Sequence, residues 1–137
     1  MNKYKQIRKK QEQEINKFPI VYAFNEEQLN EALTKLNTTK ENLKQVYGGG
    51  LIRKQDIPRF KALIENQHKE IQDSLKNENF LYEALVYELS NHEYYVTFDH
   101  TETLNVLDLE YDKMTKKQIK VLEKAVKDYL KAVEDYI

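Results

Sequence analysis

The 137-residue sequence contains no cysteine and no tryptophan. Without cysteine there are no disulfides, no thiolate metal sites and no cysteine nucleophile. The two serines, Ser74 and Ser90, both lack the strand–turn–helix setting that exposes a nucleophilic hydroxyl. No apolar run approaches the roughly 20 residues that span a bilayer. The basic opening, Met1 to Lys17, lacks the apolar core of a signal peptide. No nucleophile–base set emerges either, so the sequence predicts a cytoplasmic protein without catalytic activity, cofactor or membrane contact.

Cations are missing from one long stretch. Residues 77–112 carry nine Asp and Glu and no Lys or Arg, a net of -9, in a chain whose net charge is only -1. The flanks are basic: residues 1–17 net +4 and residues 113–137 net +3. The acids are Glu78, Glu83, Glu88, Glu93, Asp99, Glu102, Asp108, Glu110 and Asp112, interleaved with Tyr82, Tyr87, Tyr94, Tyr95 and Tyr111. Carboxylates at this density make a negative field that attracts a basic surface. Tyrosines add rigid contact area with a polar tip, as protein interfaces do. Glu83, Glu93, Tyr94, Tyr95, Asp99, Glu102, Asp108 and Glu110 are the candidate contact residues for a partner protein with a basic surface. The competing reading pairs these acids with the lysine-rich termini. Direct nucleic-acid binding is not expected, because the basic ends are balanced by acids and the pI is near 6.3.

At 40% apolar residues the chain can bury a core, and helices with one wet face account for its polarity. Met1–Lys17 predicts a helix with a weak stripe of Tyr4, Ile7, Ile15 and Phe18. Phe18–Phe24 is β-branched and aromatic and predicts a strand. Asn25 with Gln28 marks a helix start before Leu29, Ala32, Leu33 and Leu36. Thr38 with Glu41 predicts a shorter helix to about Tyr47. All three glycines, Gly48, Gly49 and Gly50, then predict a tight turn into a second strand, Leu51–Arg53. They lack the lysine ending of a phosphate loop and precede a strand.

Asp56 and Pro58 open a helix with Phe60, Leu63, Ile64, Ile71 and Leu75 on its buried face. A further helix follows from Phe80 to about Asn91. Tyr94–Phe98 predicts a third strand, and Asp99–Asp112 a polar connector with one helical turn. Thr115 with Gln118 caps the last helix, whose Ile119, Leu122, Val126, Tyr129, Val133 and Tyr136 follow heptad spacing. Ala125, Leu130, Ala132 and Ile137 widen that face, so it packs on the domain or, alternatively, forms a homodimer through residues 116–137. The predicted fold is α+β and mostly helical, with a small three-stranded sheet covered by helices. It forms one domain of three parts: an N-terminal helix (1–17), an α+β core (18–112) and a long C-terminal helix (113–137).

Glu88 and His92 stand four residues apart on a predicted helix and can meet on one face. With Asp99 or His100 they offer a weak carboxylate–histidine metal site, matched to no known metal motif. A small metal- or nucleotide-binding protein is therefore a third reading, and a hydrogen-bonded structural histidine is the plainer one.

Three segments resemble a known family: Phe18–Phe24 with Glu27-Gln28, Gly48–Lys54, and Tyr87–Tyr94. The likeness spans about residues 10 to 110 and is to an uncharacterised family of small proteins carried by phages and mobile elements of Gram-positive bacteria. The lysine-rich last helix is less typical of it. The resemblance assigns no catalytic role to any residue. It implies a genomic setting in which small proteins act by binding host proteins, nucleases of immune systems among them.

Overall fold

A computed structural model describes residues 1–46 and 48–136. Among these the chain forms α1 (Lys3–Asn16), α2 (Glu26–Leu36), β1 (Leu43–Gln45), β2 (Leu51–Arg53), α3 (Ile57–Ser74), α4 (Glu78–Asn91), α5 (Tyr94–Thr97), α6 (Thr101–Val106) and α7 (Lys116–Glu134). Two compact units emerge: Met1–Lys10 with the chain from His68 onward, and Gln11–Gln67. The class is α+β and mostly helical, as the periodicity predicts.

The larger unit is built around α4. Asn77 caps it, its side-chain oxygen accepting the Phe80 N–H at 3.0 Å, a contact of the kind that contributes about 1 kcal/mol. Leu81, Ala84, Leu85 and Leu89 are 2% exposed or less, and α4 is packed against α7 and α6. Tyr4 from α1 fills a further side and meets Phe80 edge-on at 5.9 Å. Leu104 and Leu107 close the core beside α6. The stretch Asp99–Asp112 is thus more structured than a polar connector. Its apolar residues Leu104 and Leu107 are three apart, on one helical face.

The capping box of α7 forms as predicted. Gln118 N–H donates to the Thr115 hydroxyl at 3.1 Å, and Thr115 N–H to the Gln118 side chain at 2.9 Å. Its buried line is Leu122, Ala125 and Tyr129, with Ile119, Val126 and Val133 partly buried at the sides. Ala125 is fully buried in this unit's core. Ala132 is exposed, Tyr136 lies past the helix end and is 93% exposed, and Ile137 is outside the described residues. Of the heptad stripe, Leu122 and Tyr129 are buried within the unit.

In the smaller unit the Asn25 side chain accepts the Gln28 N–H at 2.8 Å, and the Gln28 side chain accepts the Phe24 N–H at 2.7 Å. The end of α2 is closed by Asn37 in the left-handed region, with Thr38 N–H reaching back to Leu33 carbonyl. Val21, Ala32 and Leu36 form the core here, with Leu43 and Leu51 against them. The helix predicted over residues 38–47 is instead one 3-10 turn, Lys40–Asn42, followed by β1. Tyr47 lies outside the described residues. The glycines decide the difference. Gly48 and Gly49 take φ near +90°, so the chain folds back and Leu43–Gln45 finds a partner in Leu51–Arg53.

Of the three predicted strands, Leu51–Arg53 forms among the described residues, and its sheet partner is the unpredicted β1. From Phe18–Phe24 a single residue, Val21, bridges to Leu51. Pro19 lacks an N–H to donate, and Ile20 N–H turns back to Phe18 carbonyl at 2.7 Å. Tyr94–Phe98 is helical, not extended. Phe98 N–H closes a helical turn onto Tyr94 carbonyl at 2.8 Å, and Tyr94 is held edge-on against Tyr129 at 6.3 Å. On α3, Ile64 is 40% exposed while Gln67 is buried. Gln67 and Gln11 exchange side-chain-to-backbone bonds at 3.0 Å each.

Candidate functional site

Many helices end in a residue with positive φ, and glycine is the usual one. With its glycines spent at 48–50, the chain closes its helices with other residues. Glu93 (φ 50°) follows α4, Phe98 (φ 54°) follows α5, and Asp108 (φ 55°) follows α6. At Asp108 the geometry is a full cap: Leu109 N–H reaches Leu104 carbonyl at 2.8 Å, and Asp108 N–H reaches Asn105 at 3.0 Å. Two left-handed residues therefore bracket α5.

What α5 presents is apolar. Tyr95 is 45% exposed, Val96 60% and Phe98 66%. Val106 and Tyr111 are also exposed. The predicted acids Glu93, Asp99, Glu102, Asp108 and Glu110 are all exposed, as is Tyr95. Asp99 accepts both the N–H and the hydroxyl of Thr101, at 2.9 and 2.6 Å. These bonds, the hydroxyl foremost, hold its carboxyl below the usual range. Asp99 thus stays ionised and fastens the start of α6.

Two of the eight candidates have structural duties instead. Glu83 is half-buried; its carboxylate takes the Lys3 N–H at 2.5 Å and so caps α1, where the helix dipole favours a negative charge. Tyr94 is half-buried at the root of α5. The sequence reading missed Val96, Phe98 and Val106. Assigning Phe98 to a buried strand hid the one signal available, a large apolar residue in a stretch that is otherwise acidic and polar.

Pairing with the lysine-rich termini is sparse. Among the described residues, Lys117 reaches Glu78 at 3.3 Å and Lys113 reaches Glu110 at 3.1 Å. Asp108 meets His68 at 3.6 Å, and Glu102 meets His92 at 3.2 Å. Glu88 and His92 do meet on one helix face, at 3.2 Å. The third group is Glu102 on the ring's other nitrogen, not Asp99 or His100. His100 instead stacks on Tyr111, ring centres 5.5 Å apart. Among the described residues no group of three is placed to hold a metal ion.

The chain is a mostly helical α+β protein in which acidic and aromatic residues between positions 93 and 111 are exposed. None of its described helices is long and apolar enough to cross a membrane. The chain belongs to the family of unknown function DUF7659, whose model matches residues 3–132. The match takes in most of α7, so the last helix is as much part of the family as the rest. No curated protein and no solved structure matches the chain.

Proposed function

We propose that this protein works by binding, without catalysis, and that it docks a basic surface of a host protein through residues 93–111. The setting implied by the resemblance is a phage or mobile element of Gram-positive bacteria. In that setting the partner is a nucleic-acid-binding or defence protein, inhibited because its cationic groove is covered. One observation carries the reading: Phe98 occupies a left-handed position and is 66% exposed. Folding alone favours Gly or Asn there, by roughly 1 kcal/mol. A bulky exposed ring at such a position is accounted for by a partner that takes it. The surrounding carboxylates state the partner's sign.

The test is charge reversal of three exposed acids, Glu93→Lys, Asp108→Lys and Glu110→Lys, in one variant. Bait protein retains a partner from host lysate, and the affinity of that partner is then titrated at low and high salt. The variant should fold normally and bind at least about tenfold more weakly, with a flatter salt dependence. Matched reversals at Glu26 and Glu31 should change little. Equal losses from both sets would contradict the assignment to residues 93–111.

A further inference from the structure

The sheet of the smaller unit is unequally covered at its two edges. Val46 N–H donates to Gly50 carbonyl at 2.8 Å, and hydrogen-bonded pairs alternate along an antiparallel ladder. Lys44 and Ile52 are therefore the next bonded pair. Between them, Gln45 and Leu51 turn their N–H and C=O groups away from each other. On the β2 side these groups are used: Leu51 N–H donates to Val21 carbonyl at 2.7 Å, and Val21 N–H to Leu51 carbonyl at 3.1 Å. On the β1 side they belong to Gln45, which is exposed, and among the described residues no partner meets them. Leu43, two residues earlier, is already engaged: its N–H closes the 3-10 turn onto Lys40 carbonyl.

A crevice of about 550 Å³ opens beside this edge. Ala23, Leu29, Leu43 and Leu51 give it an apolar lining, and all four are only half-buried. Directly opposed residues of a sheet turn their side chains to one face, and successive residues alternate. Leu43, Gln45 and Leu51 therefore share the crevice side, where all three line the cavity. A residue placed opposite Gln45 turns its side chain the same way. Its neighbour, opposite Lys44, turns to the other face. Lys44 is exposed and forms no ion pair among the described residues. Glu26 lines the crevice itself, so a carboxylate is favoured beside Lys44 and disfavoured inside.

We propose that the free edge of β1 is a peptide-binding site. It takes an extended segment of a partner protein as an added antiparallel strand, with an apolar side chain in the crevice and an acidic residue directly after it. The backbone of the apolar residue answers both Gln45 groups: its N–H donates to Gln45 carbonyl, and its carbonyl accepts the Gln45 N–H. The acidic residue then stands across from Lys44, where opposite charges attract. A second copy of this chain does not fit through the same edge. It would bring Gln45, whose amide leaves the apolar lining uncovered, or Leu43, whose N–H is taken. The site lies in the smaller unit and does not depend on the docking reading of residues 93–111.

The probe is a capped peptide of alternating Thr and Val with Leu-Glu at its centre, titrated into the isotope-labelled full chain and followed by NMR. The Gln45 amide should shift and gain protection from exchange, and the Leu29 and Leu51 methyl signals should move with it. Methylating the backbone nitrogen of the peptide's Leu removes one hydrogen bond and keeps the side chain. It should weaken binding by about tenfold, and replacing that Leu by Ser should weaken it at least as much. Lys44→Glu, at an exposed position, should weaken the Leu-Glu peptide by about threefold and strengthen a Leu-Lys peptide by a similar factor. The site is overturned by no Gln45 response up to about 1 mM peptide, by equal binding of methylated and unmethylated peptides, or by a Lys44→Glu effect that is the same for both charges. A Gln45 amide already protected in the free protein, with a mass that rises with concentration, would overturn it in favour of a second copy.

Discussion

At the scale of single residues, opposing terms of similar size decide what a substitution does. Phe98→Asn removes an edge contact with Tyr94, ring centres 5.8 Å apart, of a kind that contributes about 0.5–1.5 kcal/mol. It also relieves a left-handed backbone that costs a non-glycine residue about 1–2 kcal/mol. The two nearly cancel, so thermal denaturation should show a melting temperature within a few degrees of wild type. A loss of several kcal/mol would mean that Phe98 is a folding residue. Tyr82 offers a second test. Its hydroxyl donates to Asp128 at 2.5 Å, and that bond, followed by burial, holds the phenol up at about 12. Folding therefore prefers the neutral phenol. This contribution is complete below pH 10 and is lost as pH rises toward 12. Ultraviolet titration of Asp128→Asn should bring Tyr82 back toward its ordinary range; an unchanged curve would remove Asp128 as the cause.

Elements were legible in the sequence where a local signal and the tertiary setting agree. The caps at Asn25 and Thr115 are local hydrogen-bond chemistry, and both form as read. The glycine turn is also local, and its third residue has a packing reason too. A Cβ on Gly50 would come within 2.6 Å of Ile20 Cγ2, so Gly50→Ala should cost about 1–3 kcal/mol in chemical denaturation. A neutral result would show that Ile20 has room to move. Tyr94–Phe98 was illegible because β-propensity describes fit to a half-buried sheet, and no neighbouring strand is there to receive it. Of the site, the acids and their exposure could be read in advance, since nine carboxylates without a cation cannot be buried cheaply. The apolar half could not, because the exposure of Val96 and Phe98 depends on the two left-handed turns around α5. The contact of His92 with two carboxylates was half-legible: the four-residue spacing of Glu88 and His92 is sequence information, but the approach of Glu102 is set by how α6 packs on α4.

At the scale of the whole molecule, α7 and the acidic stretch divide the labour. Leu122, Ala125 and Tyr129 bury against α4, so truncation before Lys116 should abolish cooperative unfolding of the larger unit. Leu122→Ala alone should cost about 2–5 kcal/mol. A truncated chain that still melts sharply would make α7 an appendage and return its stripe to a role in self-association. The acids of residues 77–112 contribute little to that core, Glu88 apart. Their field, joined to the exposed ledge of Tyr95, Val96 and Phe98, is the part of the molecule that folding does not explain. The central claim is that this ledge meets a basic partner, and the most direct measurement is a calorimetric titration of the lysate-retained host protein with wild type and with Phe98→Asn. Both should fold alike, and the variant should bind at least about tenfold more weakly, as loss of a buried aromatic anchor does. A Phe98→Asn protein that binds as tightly as wild type would contradict the account.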